Sequence, residues 1–312
     1  MIIPIQGAEL RIKYDDDSYA TVPNCQNLTI SYQNNRNTIN YIGNCLPERD
    51  RQIINYSPIQ LNFNYFNNQG KETEFGLGLM NESGICINLI EKNSEELYAV
   101  RDFDLMMRPS NSDSYAGRIG LISGVINQYT LNMAVGQPMS SSISIECLDI
   151  ENYADNNPQG YIPNYGLVPT NKMGIGGINF YGLGLVDFQI QECVISLNIN
   201  RNHTMRLGQK FPERNISNCS ATVSIKGFIS NLSDIQKLSE INTNTTSDEV
   251  FTIQITKECD NSGILFIDIR NPFLESKSIS NQVGNFANVS LVFSVSVPIN
   301  VDELDYSNLI FY

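Results

Sequence analysis

His203, the single histidine of the chain, is the side chain best suited to acid/base work near neutral pH. It lies in the phrase "NRNHTMRLGQKFPER", Asn200 to Arg214, and the same phrase occurs earlier as "NRNTINYIGNCLPER", Asn35 to Arg49, with Thr38 in place of the histidine. If the phrase were catalytic, one copy would lack its base, so the repetition argues against catalysis. The repeated carboxylates Glu48 and Glu213 invite glycosidase chemistry, which needs a pair of such groups. Each is followed at once by an arginine, Arg49 or Arg214, which favours the ionised form and points to a structural or interface ion pair. The run Asp15 to Asp17 lacks the spaced acidic and glycine positions of a calcium loop and reads as a solvated turn between "AELRIKY" and "SYATVP". "GIGGINFYGLGL", Gly174 to Leu185, has neither GxGxxG nor a phosphate-loop lysine, and reads as bent or closely packed strand. Neither a cofactor nor a metal is expected, and the chain does not read as an enzyme.

What the repeated phrase offers instead is contact chemistry. Arg36 and Arg201, and Arg49 and Arg214, supply planar donor forks suited to carboxylates on a neighbouring domain, with Glu48 and Glu213 beside them. These six residues are the candidate interface set. Gly43 and Gly208 permit backbone angles that other residues avoid, and Pro47 and Pro212 interrupt regular pairing, so each phrase should turn out of one strand and into a loop.

The elements around the two copies run in matching order. Alternating segments precede them, "NLTISY" from Asn27 and "CVISLNI" from Cys193, and others follow, "PIQLNFNYF" and "ATVSIKGFI". "SDIQKLSEI" predicts a short helix capped by Ser233, with Ile235, Leu238 and Ile241 on one face; "KETEFGLGLM", with Phe75 and Leu79 four apart, is its weaker counterpart. Strands resume at "SGICINLIEK" and "EVFTIQITKE", and each half closes on β-rich sequence: "NQYTLNMAVGQP" and "SISIEC", then "ILFIDI" and "NVSLVFSVSV". Between the halves, Glu151 to Gly177 is rich in Pro, Gly, Asn and Tyr and reads as a connector. The expectation is an internal duplication: two tandem β-sandwich or barrel domains, 1–165 and 166–312, each with a short flanking helix.

A length of 312 residues suffices for two cores, and 41% hydrophobic with 17% charged residues is an ordinary globular balance. The net charge of -13 repels phosphate backbones, which disfavours a grip on nucleic acid. The opening "MIIPIQGAELRIKYDDD" resembles no signal peptide, and no run approaches membrane-spanning length, so neither export nor a membrane anchor is expected. Seven scattered cysteines without a CxxC pair read as reduced thiols acting as small hydrophobes.

The alternating strand leading into "NYIGNCLPER" or "MRLGQKFPER", the second strand and short helix, and "INQYTLNMAVGQPMSSSISIEC" together resemble the tube proteins of tailed-bacteriophage tails. The resemblance implies a β-sandwich or small barrel with a flanking helix, six such domains to a ring, and rings stacked into a hollow conduit for the genome. With two domains per chain, it implies homotrimeric, pseudo-sixfold rings. It further implies a virion location after synthesis in the host cytoplasm. The implied partners are tape measure, baseplate and terminator proteins, with viral DNA passing through the lumen without specific binding. The alternative is a distal-tail, baseplate or neck adaptor ring on the same domain; a β-sandwich glycan hydrolase is the third reading.

Overall fold

A computed structural model describes residues 5–13, 19–22, 24–32, 58–66, 77, 79, 101–109, 117–153, 175–182, 185, 188–240, 250–257, 263–281, 287–296 and 309–311. The chain is mainly β. The first half contributes β1 (Ile5–Lys13), β2 (Tyr19–Thr21), β3 (Cys25–Tyr32), β4 (Ile59–Phe66), β5 (Arg101–Pro109), β6 (Gly117–Ala134), β7 (Ser140–Cys147) and β8 (Asp149–Tyr153). The second contributes β9 (Ile175–Tyr181), β10 (Phe188–Thr204), β11 (Glu213–Ile229), helix α1 (Leu232–Glu240), β12 (Val250–Lys257), β13 (Gly263–Arg270), β14 (Phe273–Asn281), β15 (Ala287–Ser296) and β16 (Leu309–Phe311).

Alternation dictates these strands. In β4, Ile59, Leu61, Phe63 and Tyr65 are buried while the residues between them are polar or half-buried. A period of two puts all four on one face, and burying each contributes about 1.5–3 kcal/mol. The same alternation runs through β7, β10, β11 and β15. Buried apolar residues from Leu10 to Val295 form one core cluster that includes both halves.

The two halves pair their strands in the same order, and every named ladder is antiparallel. In the first half, β3 pairs β4, β4 pairs β7 and β7 pairs the second part of β6. In the second half, β10 pairs β11, β11 pairs β15 and β15 pairs β14. A second set of ladders matches as well: β1–β5–β6–β8 corresponds to β9–β12–β13–β16. Thus β6 does alone what β13 and β14 do together, and the bend falls at corresponding points. Ser123 within β6 has φ 53°, and Asn271 between β13 and β14 has φ 47°. Such angles are uncommon outside glycine, so their recurrence at the sheet-to-sheet crossing is specific.

The halves join edge to edge. Gln128 to Ala134 of β6 pair with Glu192 to Asn198 of β10, extending one sheet across both in the order β3–β4–β7–β6–β10–β11–β15–β14. The expected connector is shorter than its composition suggests. Glu151 to Tyr153 belong to β8 and Ile175 to Gly177 to β9, because β6 and β12 offer those segments partner strands. The boundary near Tyr165 lies outside the described residues.

Helix α1 is present, but its cap is Asn231 rather than Ser233: Asn231 Oδ1 accepts from the Ser233 backbone N–H at 2.9 Å. The helix begins at Leu232, two residues earlier than a Ser233 cap implies, which leaves Ser233 inside its first turn. Leu238 is buried and Ile235 packs against the core, whereas Ile241 lies outside the described residues. Of "KETEFGLGLM", Leu77 and Leu79 are described; both are buried, in a turn and a bend. "SGICINLIEK" and Asp15 to Asp17 also lie outside the described residues. "GIGGINFYGLGL" begins as β9, and a Cβ on Gly182 would come within 2.6 Å of Phe251 Cδ1, so close packing explains that glycine.

Candidate assembly interface

The second phrase forms the end of the β10–β11 hairpin. Its strands pair as far as His203–Arg214 and Thr204–Glu213, and the chain turns through Met205 to Pro212. Gly208 takes φ 87°, the conformation its residue type permits, and β11 starts immediately after Pro212. Leu207 at the tip is fully exposed and Met205 is half-exposed. The first phrase, with Arg36, Glu48 and Arg49, lies outside the described residues.

The root of the hairpin rests on the first half of the chain. Arg214 is buried and its Nη1 donates to the backbone oxygen of Glu146 on β7 at 3.0 Å. His203 Nε2 lies 2.7 Å from Glu146 Oε1, whose carboxylate is nearly inaccessible to solvent, and Asn127 Nδ2 donates to the other oxygen at 3.4 Å. Lys210 Nζ donates to Asp149 Oδ2 at 2.7 Å, and that hydrogen bond holds the Asp149 carboxyl below its usual range. Asn127, Glu146 and His203 border a polar recess of about 240 Å³, to which Arg201 also contributes. Glu213 faces elsewhere and pairs with Arg206 at 3.0 Å on the surface. The adjacent Glu213 and Arg214 therefore do not pair with each other, because neighbours on a strand point to opposite faces. Arg214 thus meets the first half within one chain, and Arg201 lines the recess between the halves.

Glu146, Asp149 and Lys210 were not singled out from sequence. A signal existed in Glu146, a carboxylate ending the alternating run "SISIEC", at a point where three successive residues are buried. Its partner His203 was set aside because Thr38 replaces it in the other copy. The difference has a structural counterpart: a shift of 148 positions takes Ser123 to Asn271 and also takes Glu146 to Ser294, so the second half carries no carboxylate there.

The extended sheet has one face on the core and the other toward solvent. Across the middle of the solvent face runs Asn64–Ser142–Thr130–Ser196–Thr222–Ser294, six neighbours with hydroxyl or amide side chains and no charge. Thr130 and Ser196 lie 3.4 Å apart, oxygen to oxygen, across the joint of the halves. Charges on this face occur in partnered groups toward its ends, such as Glu192 with Lys226 at 2.9 Å. At the two edges of the sheet, β3 and β14 have one strand partner each among the described residues. Tyr32 on β3 is an exposed large apolar side chain, and Ile30 and Ile279 are half-buried beside the core.

The four described thiols are buried or half-buried. Cys147 and Cys193 are buried, and burial pushes both thiols up to about 12. Burial also raises Cys25 and Cys219, to about 11. Among the described residues, no group of three or more His, Cys, Asp or Glu is placed to hold a metal ion, and no helix is long and apolar enough to cross a membrane.

The fold defines a mainly β protein whose halves share one antiparallel sheet and a polar contact at its joint. No family model matches the chain, and no curated protein matches it as a relative.

Proposed function

We propose that the chain is a duplicated structural protein whose copies join through their sheet edges into closed rings, the subunit of a bacteriophage tail tube. One observation carries this reading. Inside the chain the sheet is completed by joining β6 to β10, and the strands left at its two edges, β14 and β3, are their counterparts. A second copy can repeat at the edges the joint that the chain already makes within itself. Edges of eight and nine residues with a single strand partner among the described residues invite such pairing, and a closed ring consumes them. The matching ladder order and the paired bends at Ser123 and Asn271 support the duplication.

Three copies, as the resemblance implies, would bring about twenty-four strands round one axis. At ~4.8 Å between strands and a tilt of ~40°, the wall would measure roughly 45–50 Å across between backbones. That bore admits a double helix after side chains are allowed for. The polar, mostly uncharged solvent face suits an inner wall past which viral DNA slides without specific binding. The hairpin tip, with Leu207 and Met205 exposed, suits contact with the next ring or with an adjoining tail protein. In this reading the protein resides in the virion tail, needs no cofactor and catalyses no reaction.

Negative-stain electron microscopy with solution mass at several concentrations and salt strengths tests the proposal. Hollow rings of three chains that stack into tubes are expected. Isolated closed rings would convert the reading to an adaptor, and a monomer at every concentration would overturn it.

A further inference from the structure

We infer that β14 of one copy pairs antiparallel with β3 of the next in a single register, Ile279 opposite Ile30. Lys277 then faces Tyr32, Ser278 faces Ser31, and Ser280 faces Thr29. The inference rests on the ring reading and adds to it the residue contacts of the joint.

The register follows from the internal joint. Within the chain, β6 and β10 set Tyr129 opposite Leu197, Thr130 opposite Ser196 and Leu131 opposite Ile195. The repeated phrase relates β10 to β3 by 165 positions with no insertion between strand and phrase, so Ile195 corresponds to Ile30 and Leu197 to Tyr32. For β6 and β14 the relation is 148 positions. It takes Ser123 to Asn271, both at positive φ. It also superposes two bulges: the β6–β7 register breaks between Ile126 and Gln128, and the β14–β15 register between Leu274 and Ser276.

The two relations can be checked against each other through the intervening strands. Starting from Ile30, the first half leads across Leu61 and Ile145 to Ile126. Starting from the corresponding Ile195, the second leads across Val223 and Phe293 to Leu274. Ile126 and Leu274 are again 148 apart, so both routes agree on one alignment. A slip by one residue would turn every side chain to the wrong face.

Burial agrees with the alignment. Leu131 and Ile195, which meet at the internal joint, are 1% and 0% exposed. Their counterparts Ile279 and Ile30 lie half-buried at open edges, and Tyr32, 61% exposed, occupies the position of the fully buried Leu197. Joining the edges in this register covers all three.

Cysteine cross-linking tests the pairing. Ile279→Cys with Ile30→Cys, and separately Ser278→Cys with Ser31→Cys, sample both kinds of antiparallel pair, one of which brings the side chains closer. Oxidising the unsubstituted protein, which carries seven native cysteines, gives the background to be subtracted. Mild oxidation of assembled protein should give linked species ending at three chains for at least one of these pairs. The shifted control, Ile279→Cys with Tyr32→Cys, should link about tenfold less, since a two-residue offset exceeds disulfide reach. If the unsubstituted protein forms rings but the shifted pair links as well as the two matched pairs, or better, the register is wrong and the ring stands. If it forms no rings at any concentration, the ring reading falls and takes the register with it.

Discussion

Arg214 shows how a residue can be conspicuous in sequence while its partner is not. The repeated "PER" singled it out as a donor for a neighbouring domain, and the acceptor is the backbone oxygen of Glu146 in the other half of the same chain. A backbone acceptor leaves no mark in sequence, so the contact was legible only as a donor in search of an oxygen. Replacing Arg214 by Met should leave that oxygen unmet and cost about 1–3 kcal/mol, read as a lower denaturation midpoint. An unchanged midpoint would show that the contact contributes nothing. The buried thiols give a second expectation at this scale. Their ordinary value of 9.0 rises with burial, to about 12 for Cys147 and Cys193 and about 11 for Cys25 and Cys219. Between those values the unfolded chain releases protons that the folded chain keeps. Stability is therefore whole below pH 9 and declines as pH rises toward 12. Denaturant midpoints should be level from neutral pH to about 8.5 and fall by pH 10.5, in parallel with faster thiol labelling; labelling without change across that range would contradict the burial argument.

Among elements, the strands were the most legible because alternation is a direct imprint of a two-faced sheet. "PIQLNFNYF", "ATVSIKGFI" and "NVSLVFSVSV" fall in β4, β11 and β15, with Leu61, Phe63, Val223, Ile225, Leu291 and Phe293 inward. The joint between β6 and β10 was not legible, since edge pairing depends on backbone groups that every sequence carries. Nor was the helix cap, where Asn231 displaces the more obvious Ser233 by lying at the true start of the helix. The β10–β11 hairpin carries the third expectation. Its root is tied down through Arg214 on Glu146 and its turn through Lys210 on Asp149, while Leu207 is fully exposed, so Leu207→Ser should leave folding intact. Under the proposed function, stacking should weaken about tenfold or more while single rings persist by microscopy, because a fully exposed leucine repays its burial only on contact with another surface. Unaltered tube length distributions would remove the tip from the stacking contact.

At the scale of the whole molecule, the proposed ring of duplicated subunits would have two kinds of joint. The β6–β10 joint is intramolecular, so under that proposal half of the joints in a three-chain ring would form at high effective concentration and the rest would need encounter. The two kinds of joint also differ chemically. The internal one has Glu146 with His203, whereas the corresponding positions at the edges are Ser294 and Thr38, so the sequence offers no such carboxylate–imidazole contact there. The solvent face has a consequence of its own. Its central row, Asn64 to Ser294, carries no charge, and the hydroxyls and amides there bind water and neither attract nor repel a polyanion. In a ring of the proposed kind, a passage lined this way would work as a lubricated bearing: its friction would be that of a layer of bound water, set by viscosity and temperature far more than by the ionic strength of the medium being crossed.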